Sequence, residues 1–225
     1  MSNCVRVKLF FESRGVYSLS RKPRVWIPGA TYHITNRGNR KELIFMDDDD
    51  RLTYMELLEK VRCKFPFNLH AYCLMPNHIH LLLETIDHHP KDIMKMLNTC
   101  YAMYFNRRHE LVGHLFQGRY DARLIDSLNY FLEASRYIHW NPVEAEMVQY
   151  PEEFPWSSYS AFLAGDDSPH ALVTTERILS YFPEPRRDHY CEFVWNKLEG
   201  QSPGALTRRG TVPILGVESP LFGNK

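Results

Sequence analysis

Two apolar runs stand back to back in the middle of the chain: FNLHAYCLM at residues 67–75 and HIHLLLET at 78–85, with only Pro76-Asn77 between them. Each has strand length, and a Pro-Asn pair between such runs is turn chemistry, so the stretch predicts a β-hairpin. A chain that spends its most apolar segment on a tight hairpin must extend it into a sheet and cover that sheet with the remaining elements.

The flanking segments supply those elements. ATYHITNRG at 30–38 alternates and is rich in β-branched and aromatic residues, predicting a strand closed by a glycine turn. DDDDRLTYMELLEKVRCKF follows at 47–65, with an acidic start that suits a helix N-terminus. Leu52, Met55, Leu58 and Val61 fall at helical spacing, and Pro66 stops the run. After the hairpin, PKDIMKMLNTCYAMYFNRRH at 90–109 predicts a long helix with Ile93, Met96, Leu97, Cys100 and Tyr104 as its apolar positions. GHLFQGRYDARLI at 113–125 predicts a turn and then an extended segment. SLNYFLEASRYIHWNP at 127–142 opens on a capping serine, and Pro142 places its end near Asn141. The order strand, helix, strand, strand, helix, strand, helix implies an α+β fold. The expected form is a ferredoxin-like or RRM-like antiparallel sheet with helices packed on one face.

The rest of the chain divides by composition. Residues 1–23 are a basic arm, 24–165 the principal domain, 166–200 a C-terminal helical extension, and 201–225 a Pro/Gly-rich tail expected to be disordered. With 44% hydrophobic and 24% charged residues the chain can bury a core. Its formal net charge is zero, so any affinity for nucleic acid must come from local clusters. The first 41 residues hold nine Lys or Arg against one acidic residue, Glu12, which suits either a phosphate-tracking arm or a solvated terminus. Five scattered cysteines without CxxC spacing argue against a disulfide framework and a zinc ribbon, and fit a reducing compartment. No apolar run reaches the ~18 residues of a membrane span, and the first twenty residues lack an uninterrupted apolar core. A cytoplasmic location and no membrane partner are the expectations.

His78 and His80 are i and i+2 on a strand, so they share one face while Ile79 points to the other with Leu81 and Leu83. Such a pair can converge on one metal, or can simply be two half-exposed histidines bonded across the sheet. Two imidazoles need a third ligand; an amide or carboxylate together with a substrate phosphate suits magnesium or manganese. Tyr137 and Asn141, in SRYIHWNP, are i and i+4 on one helix face. A phenol there can be a nucleophile beside an amide ligand, although its ordinary pKa near ~10 requires a cation or base nearby. Tyr130 is the rival nucleophile, but its i+4 residue is Ala134, which cannot ligate a metal. Glu84 shares the strand face of His80 and would be the extra carboxylate of a metal-dependent phosphoesterase. Arg37, Asn39 and Arg40 after the first strand, and Arg107, Arg108, Arg119 and Arg123 later, form as a set a candidate DNA-binding surface, while any one of the arginines can instead be a solvated or locally paired charge. Asn36, Phe116 and Gln117 lie beside them to stack on or hydrogen-bond unpaired bases.

YHITNRGN, HAYCLMPNHIHLLLE, YFNRRHELVGHLFQGRY and SRYIHWNPVEA, followed by PWSSY, together resemble the HUH single-tyrosine transposases in their REP-associated branch. The resemblance spans about residues 23–165 and takes its name from the His-hydrophobic-His element, here His78-Ile79-His80. It implies His78, His80 and Asn141 as metal ligands and Tyr137 as nucleophile. The implied chemistry is cleavage and rejoining of single-stranded, hairpin-associated DNA through a 5′-phosphotyrosine, with Mg²⁺ or Mn²⁺ and no nucleotide cofactor. A monomer or homodimer is compatible with it. A domesticated hairpin-binding protein that no longer cuts is the alternative, and a phosphoesterase the more distant one.

Overall fold

The computed structural model describes residues 26–164 and 172–196; the basic arm at 1–23 and the tail at 201–225 lie outside the described residues. The first part of the chain runs β1 (Thr31–Arg37), α1 (Asp48–Lys64), β2 (Phe67–Met75), β3 (His78–Thr85), α2 (Pro90–Arg108), β4 (Asp121–Leu124) and α3 (Leu128–Glu144). Three shorter helices follow: α4 (Tyr159–Leu163), α5 (Glu176–Leu179) and α6 (Arg186–Trp195). The four strands form one antiparallel sheet in the order β2-β3-β1-β4, the ferredoxin-like arrangement anticipated from the element order. The Pro76-Asn77 hairpin forms as expected, with Met75 opposite His78. Gly38, just past β1, is required by close approach: a Cβ there would lie 2.1 Å from the Glu42 carbonyl oxygen.

Strand parity sorts the side chains into two cores. Tyr32 and Ile34 of β1 join Ile79, Leu81 and Leu83 of β3 under α1 and α2. On β2 the register slips between Leu69 and Ala71, at His70. That extra residue inverts the alternation, so Leu69 and then Tyr72 and Leu74 all reach the first core. Ala71, Cys73, Met75 and Leu82 point the other way, against Phe131, Leu132, Ala134 and Ile138 of α3 and residues of α4, α5 and α6. The expectation of helices on one face therefore describes α1 and α2 alone. α3 and the elements after it cover the second face, where they pack over the hairpin strands.

The helices form where expected, but their buried faces are rotated. In α1 the buried positions are Asp50, Tyr54, Leu58 and Val61, while Leu52 is exposed. Asp50 is inside because the Met46 N–H, Arg108 and His109 all bond its carboxylate. In α2 the buried line is Pro90, Ile93, Met94, Leu97, Tyr101 and Phe105, one step from the face containing Met96, Cys100 and Tyr104. α3 does not stop at Asn141; it continues through Pro142 to Glu144. Pro142 lies within the last turn, and Trp140, Asn141 and Pro142 are all buried, so packing outweighs the proline's bias against the preceding αR residue. This continuity keeps Asn141 on the helix that carries Tyr137.

Candidate active site

The sheet's second face is covered by α3 only over its hairpin half. Between α3 and the β1–β4 half lies a cavity of about 1020 Å³. His33, Arg37, His78 and His80 line it from the central strands, Arg119, Tyr120 and Arg123 from the β4 side, and Tyr130, Glu133, Arg136 and Tyr137 from α3. Four arginines against two carboxylates, Asp121 and Glu133, give the lining a basic balance within a chain of zero net charge.

Each imidazole of the pair is held by a neighbour. His78 Nδ1 lies 2.6 Å from the Asn77 side-chain oxygen, an acceptor, so in the tautomer with its proton on Nδ1 this contact is a hydrogen bond. Nε2 faces the Asn141 side-chain oxygen at 3.2 Å, baring its lone pair toward it in this tautomer and donating to it in the other. Two lone-pair atoms opposed at that distance suit a shared cation. His80 is 5% exposed; its Nδ1 lies 3.0 Å from His33 Nε2, and its Nε2 has no hydrogen-bond partner among the described residues. The two rings are 5.0 Å apart, centroid to centroid. Burial, reinforced by the other imidazoles and Arg37, holds His80 well below the ordinary histidine range. Burial and Arg37 lower His78 as well. Burial, with Arg123 nearby, brings His33 down to about 4. All three rings are therefore neutral at pH 7, the state in which imidazole ligates a metal.

Tyr137 stands over this group. Its ring meets His80 edge-on at 5.4 Å and His33 at 6.0 Å, and it is 38% exposed. Tyr130 also lines the cavity, two turns earlier on the same helix, with Ala134 where Tyr137 has Asn141. His78, His80, Tyr137 and Asn141 come together within one chain, although the two histidines lie more than fifty residues before the tyrosine in sequence. Among the described residues no group of three or more His, Cys, Asp or Glu side chains could hold a metal; the Asn141 amide oxygen, 3.2 Å from His78 Nε2, is the further donor beside the two imidazoles. The donors present, two neutral imidazoles and an amide oxygen beside a basic cavity, fit a divalent ion that also binds phosphate.

The DNA-binding set expected from the sequence divides. Arg37, Arg119 and Arg123 line the cavity. Asn39 and Arg40 lie in the short 3-10 turn after β1 and do not line it. Arg107 is exposed near the end of α2, away from the lining. Arg108 belongs elsewhere: its guanidinium bonds Asp47 at 2.6 and 2.8 Å, Asp50 at 2.6 Å and Asp49 at 3.2 Å. It ties the end of α2 to the acidic start of α1, and three carboxylates leave it poorly placed for phosphate. Glu84 is likewise engaged, by Arg177 and by His70 at 2.8 Å, so the carboxylate ligand that a phosphoesterase would need is committed to joining α5 to the sheet. Two residues of the site escaped the sequence reading. His33 shares the outward parity of β1 with Thr35 and Arg37, but its meeting with His80 depends on the β1–β3 register. Arg136 immediately precedes Tyr137, pairs with Glu133 and lies over the Phe193 ring at 4.6 Å.

The family model described as "Transposase IS200 like" matches residues 27–141. Among solved structures, a REP-associated tyrosine transposase bound to a REP hairpin superposes with a TM-score of 0.56 at 19% identity, over 69% of this chain and 98% of that one. A chain from Deinococcus radiodurans R1 described as a transposase matches at 19% identity and a TM-score of 0.38, over 59% of this chain and 96% of that one. No curated protein sequence matches significantly.

Proposed function

Because the chain belongs to the IS200-like transposase family, we propose that its cavity cuts and rejoins single-stranded DNA with Tyr137 as the nucleophile. The observation that carries this reading is the placement of the Tyr137 ring against His80, with the His78–Asn141 pair alongside, at a cavity lined by Arg37, Arg119, Arg123 and Arg136. His78 Nε2, His80 Nε2 and the Asn141 amide oxygen would hold Mg²⁺ or Mn²⁺. When bound, such an ion supplies Lewis-acid polarisation of the scissile phosphate and lowers the cost of generating a phenolate nearby.

The chain's own groups do the rest. The arginines bind the phosphates flanking the cut and orient the strand for in-line attack. The Tyr137 hydroxyl oxygen bonds to phosphorus, the bond from phosphorus to the 3′ oxygen breaks, and the phenol's proton ends on the departing 3′-hydroxyl. The product is a 5′-phosphotyrosine that keeps the phosphodiester's bond energy. A 3′-hydroxyl can therefore attack it in reverse, reseal a strand and restore the phenol without a nucleotide cofactor. Hairpin-associated DNA is the substrate class, a choice supported by the hairpin bound to the structural neighbour.

The test incubates the full chain with hairpin oligonucleotides carrying single-stranded flanks, in Mg²⁺ or Mn²⁺, and looks for a covalent adduct on a denaturing gel. The expected result is an adduct that requires the metal and disappears in Tyr137→Phe. Binding with no adduct in either metal would instead identify a protein that holds hairpins without cutting them.

A further inference from the structure

We propose that His33 is a positioning residue that fixes the His80 imidazole in its Nδ1–H tautomer and so reserves His80 Nε2 for a divalent ion; this rests on the metal site proposed above. His33 sits on β1 directly opposite Leu82, while His80 is opposite Thr35. The two histidines are thus diagonal neighbours on the same sheet face, a spacing that long or aromatic side chains bridge. Their facing nitrogens, His33 Nε2 and His80 Nδ1, are 3.0 Å apart and must share one proton.

The two ways of sharing it have different consequences. If His33 donates, the neutral His80 ring carries its own proton on Nε2. That would be a buried donor with no partner among the described residues, and it could not ligate. If His80 donates, its proton sits on Nδ1 and the Nε2 lone pair is bare. The second arrangement matches the His78 tautomer in which Nδ1 donates to the Asn77 oxygen while Nε2 faces Asn141. Both imidazoles then present Nε2 lone pairs from one strand face. Metal-bound histidines are commonly oriented by an acceptor on the second nitrogen, and losing that acceptor costs roughly 10–100-fold in affinity. In this chain a histidine on the neighbouring strand takes the part. Tyr137 contacts His33 as well as His80, so the three rings form one packed unit.

The experiment measures Mn²⁺ binding to the full chain without DNA, by electron paramagnetic resonance, in wild type, His33→Phe, His33→Gln and His80→Ala. Phenylalanine keeps a ring and has no acceptor; glutamine keeps an acceptor oxygen. His33→Phe is expected to bind Mn²⁺ about 10–100-fold more weakly with its thermal melt near wild type, and His33→Gln to recover part of the loss. Unchanged affinity in His33→Phe, with binding lost in His80→Ala, overturns the positioning role and leaves the metal site standing. Wild type that shows no saturable Mn²⁺ binding overturns both. Should His33→Phe fail to fold, long-range ¹H–¹⁵N spectra of Mg²⁺-loaded wild type decide: the His80 proton belongs on Nδ1, and a proton on Nε2 refutes the proposal.

Discussion

At the scale of single residues, the site works through what its side chains are prevented from doing. The Asn77 oxygen lies 2.6 Å from His78 Nδ1, burial keeps His80 neutral, and Asn141 is held on a buried turn of α3. The strand period of two and the helical i, i+4 spacing put His78 with His80 and Tyr137 with Asn141 on shared faces, because each pair sits within a single element; it was the family resemblance that joined the two pairs into one site. His33 was not legible, since its partner His80 lies 47 residues away and is set by the pairing register between two strands. The ion pairs of Arg108 were not legible for the same reason: its carboxylate partners lie at the start of a different helix. This division yields a measurable contrast. Arg119→Ala and Arg123→Ala should each weaken binding of a single-stranded oligonucleotide and reduce the dependence of log K on log salt by about 0.7 for each phosphate no longer neutralised. Arg108→Ala should leave that slope unchanged and lower thermal stability instead. A slope that falls in Arg108→Ala would return this residue to the DNA surface.

At the scale of elements, helix starts could be read from local signals, whereas the end of α3 at Pro142 and the buried helix faces could not. Asp47 caps α1, Pro90 opens α2 and Ser127 caps α3, each a local signal. The face each helix buries was decided by distant partners. Asp50 turns inward because three donors meet it there, and that rotates Leu52 into solvent. Burial alone would push the Asp50 carboxyl up, but the Met46 N–H, Arg108 and His109 together hold it below its ordinary 3.8. A carboxyl lowered by folding stabilises the native state in full above 3.8, and that contribution is lost as pH falls through the folded value. Urea titrations should therefore show the midpoint dropping on the acid side of pH 3.8 in wild type. Asp50→Asn should be less stable at pH 7, by about 2 kcal/mol, and show a flatter acid limb. An Asn variant with an unchanged acid limb would mean that Asp50 does not set it.

At the scale of the whole molecule, the two cores have different duties. The first, beneath α1 and α2, holds the sheet; the second holds α3 over the hairpin and so brings the tyrosine to the histidines. Buried groups fasten it: His139 on α3 meets Ser158 Oγ at 2.8 Å and the Tyr190 hydroxyl at 2.8 Å, linking α3 to α6 and to the segment before α4. His139 lies two residues from Tyr137 yet points off its face into this core. Burial takes it down to about 3, the mark of a neutral structural histidine. The second core does not reach across the β1–β4 half of the sheet, and that uncovered half is the cavity floor. A sheet order and a hairpin were readable from the chain, but the open half-face was not, because it depends on where α3 stops covering the sheet.

The claim on which the account turns is that this geometry selects Tyr137 over Tyr130, which shares the cavity. The direct measurement is to trap the protein–DNA adduct, digest both components and locate the residual nucleotide by tandem mass spectrometry. The account expects a 5′-linked nucleotide on the peptide containing Tyr137, with Tyr130 unmodified; a nucleotide on Tyr130 would contradict it.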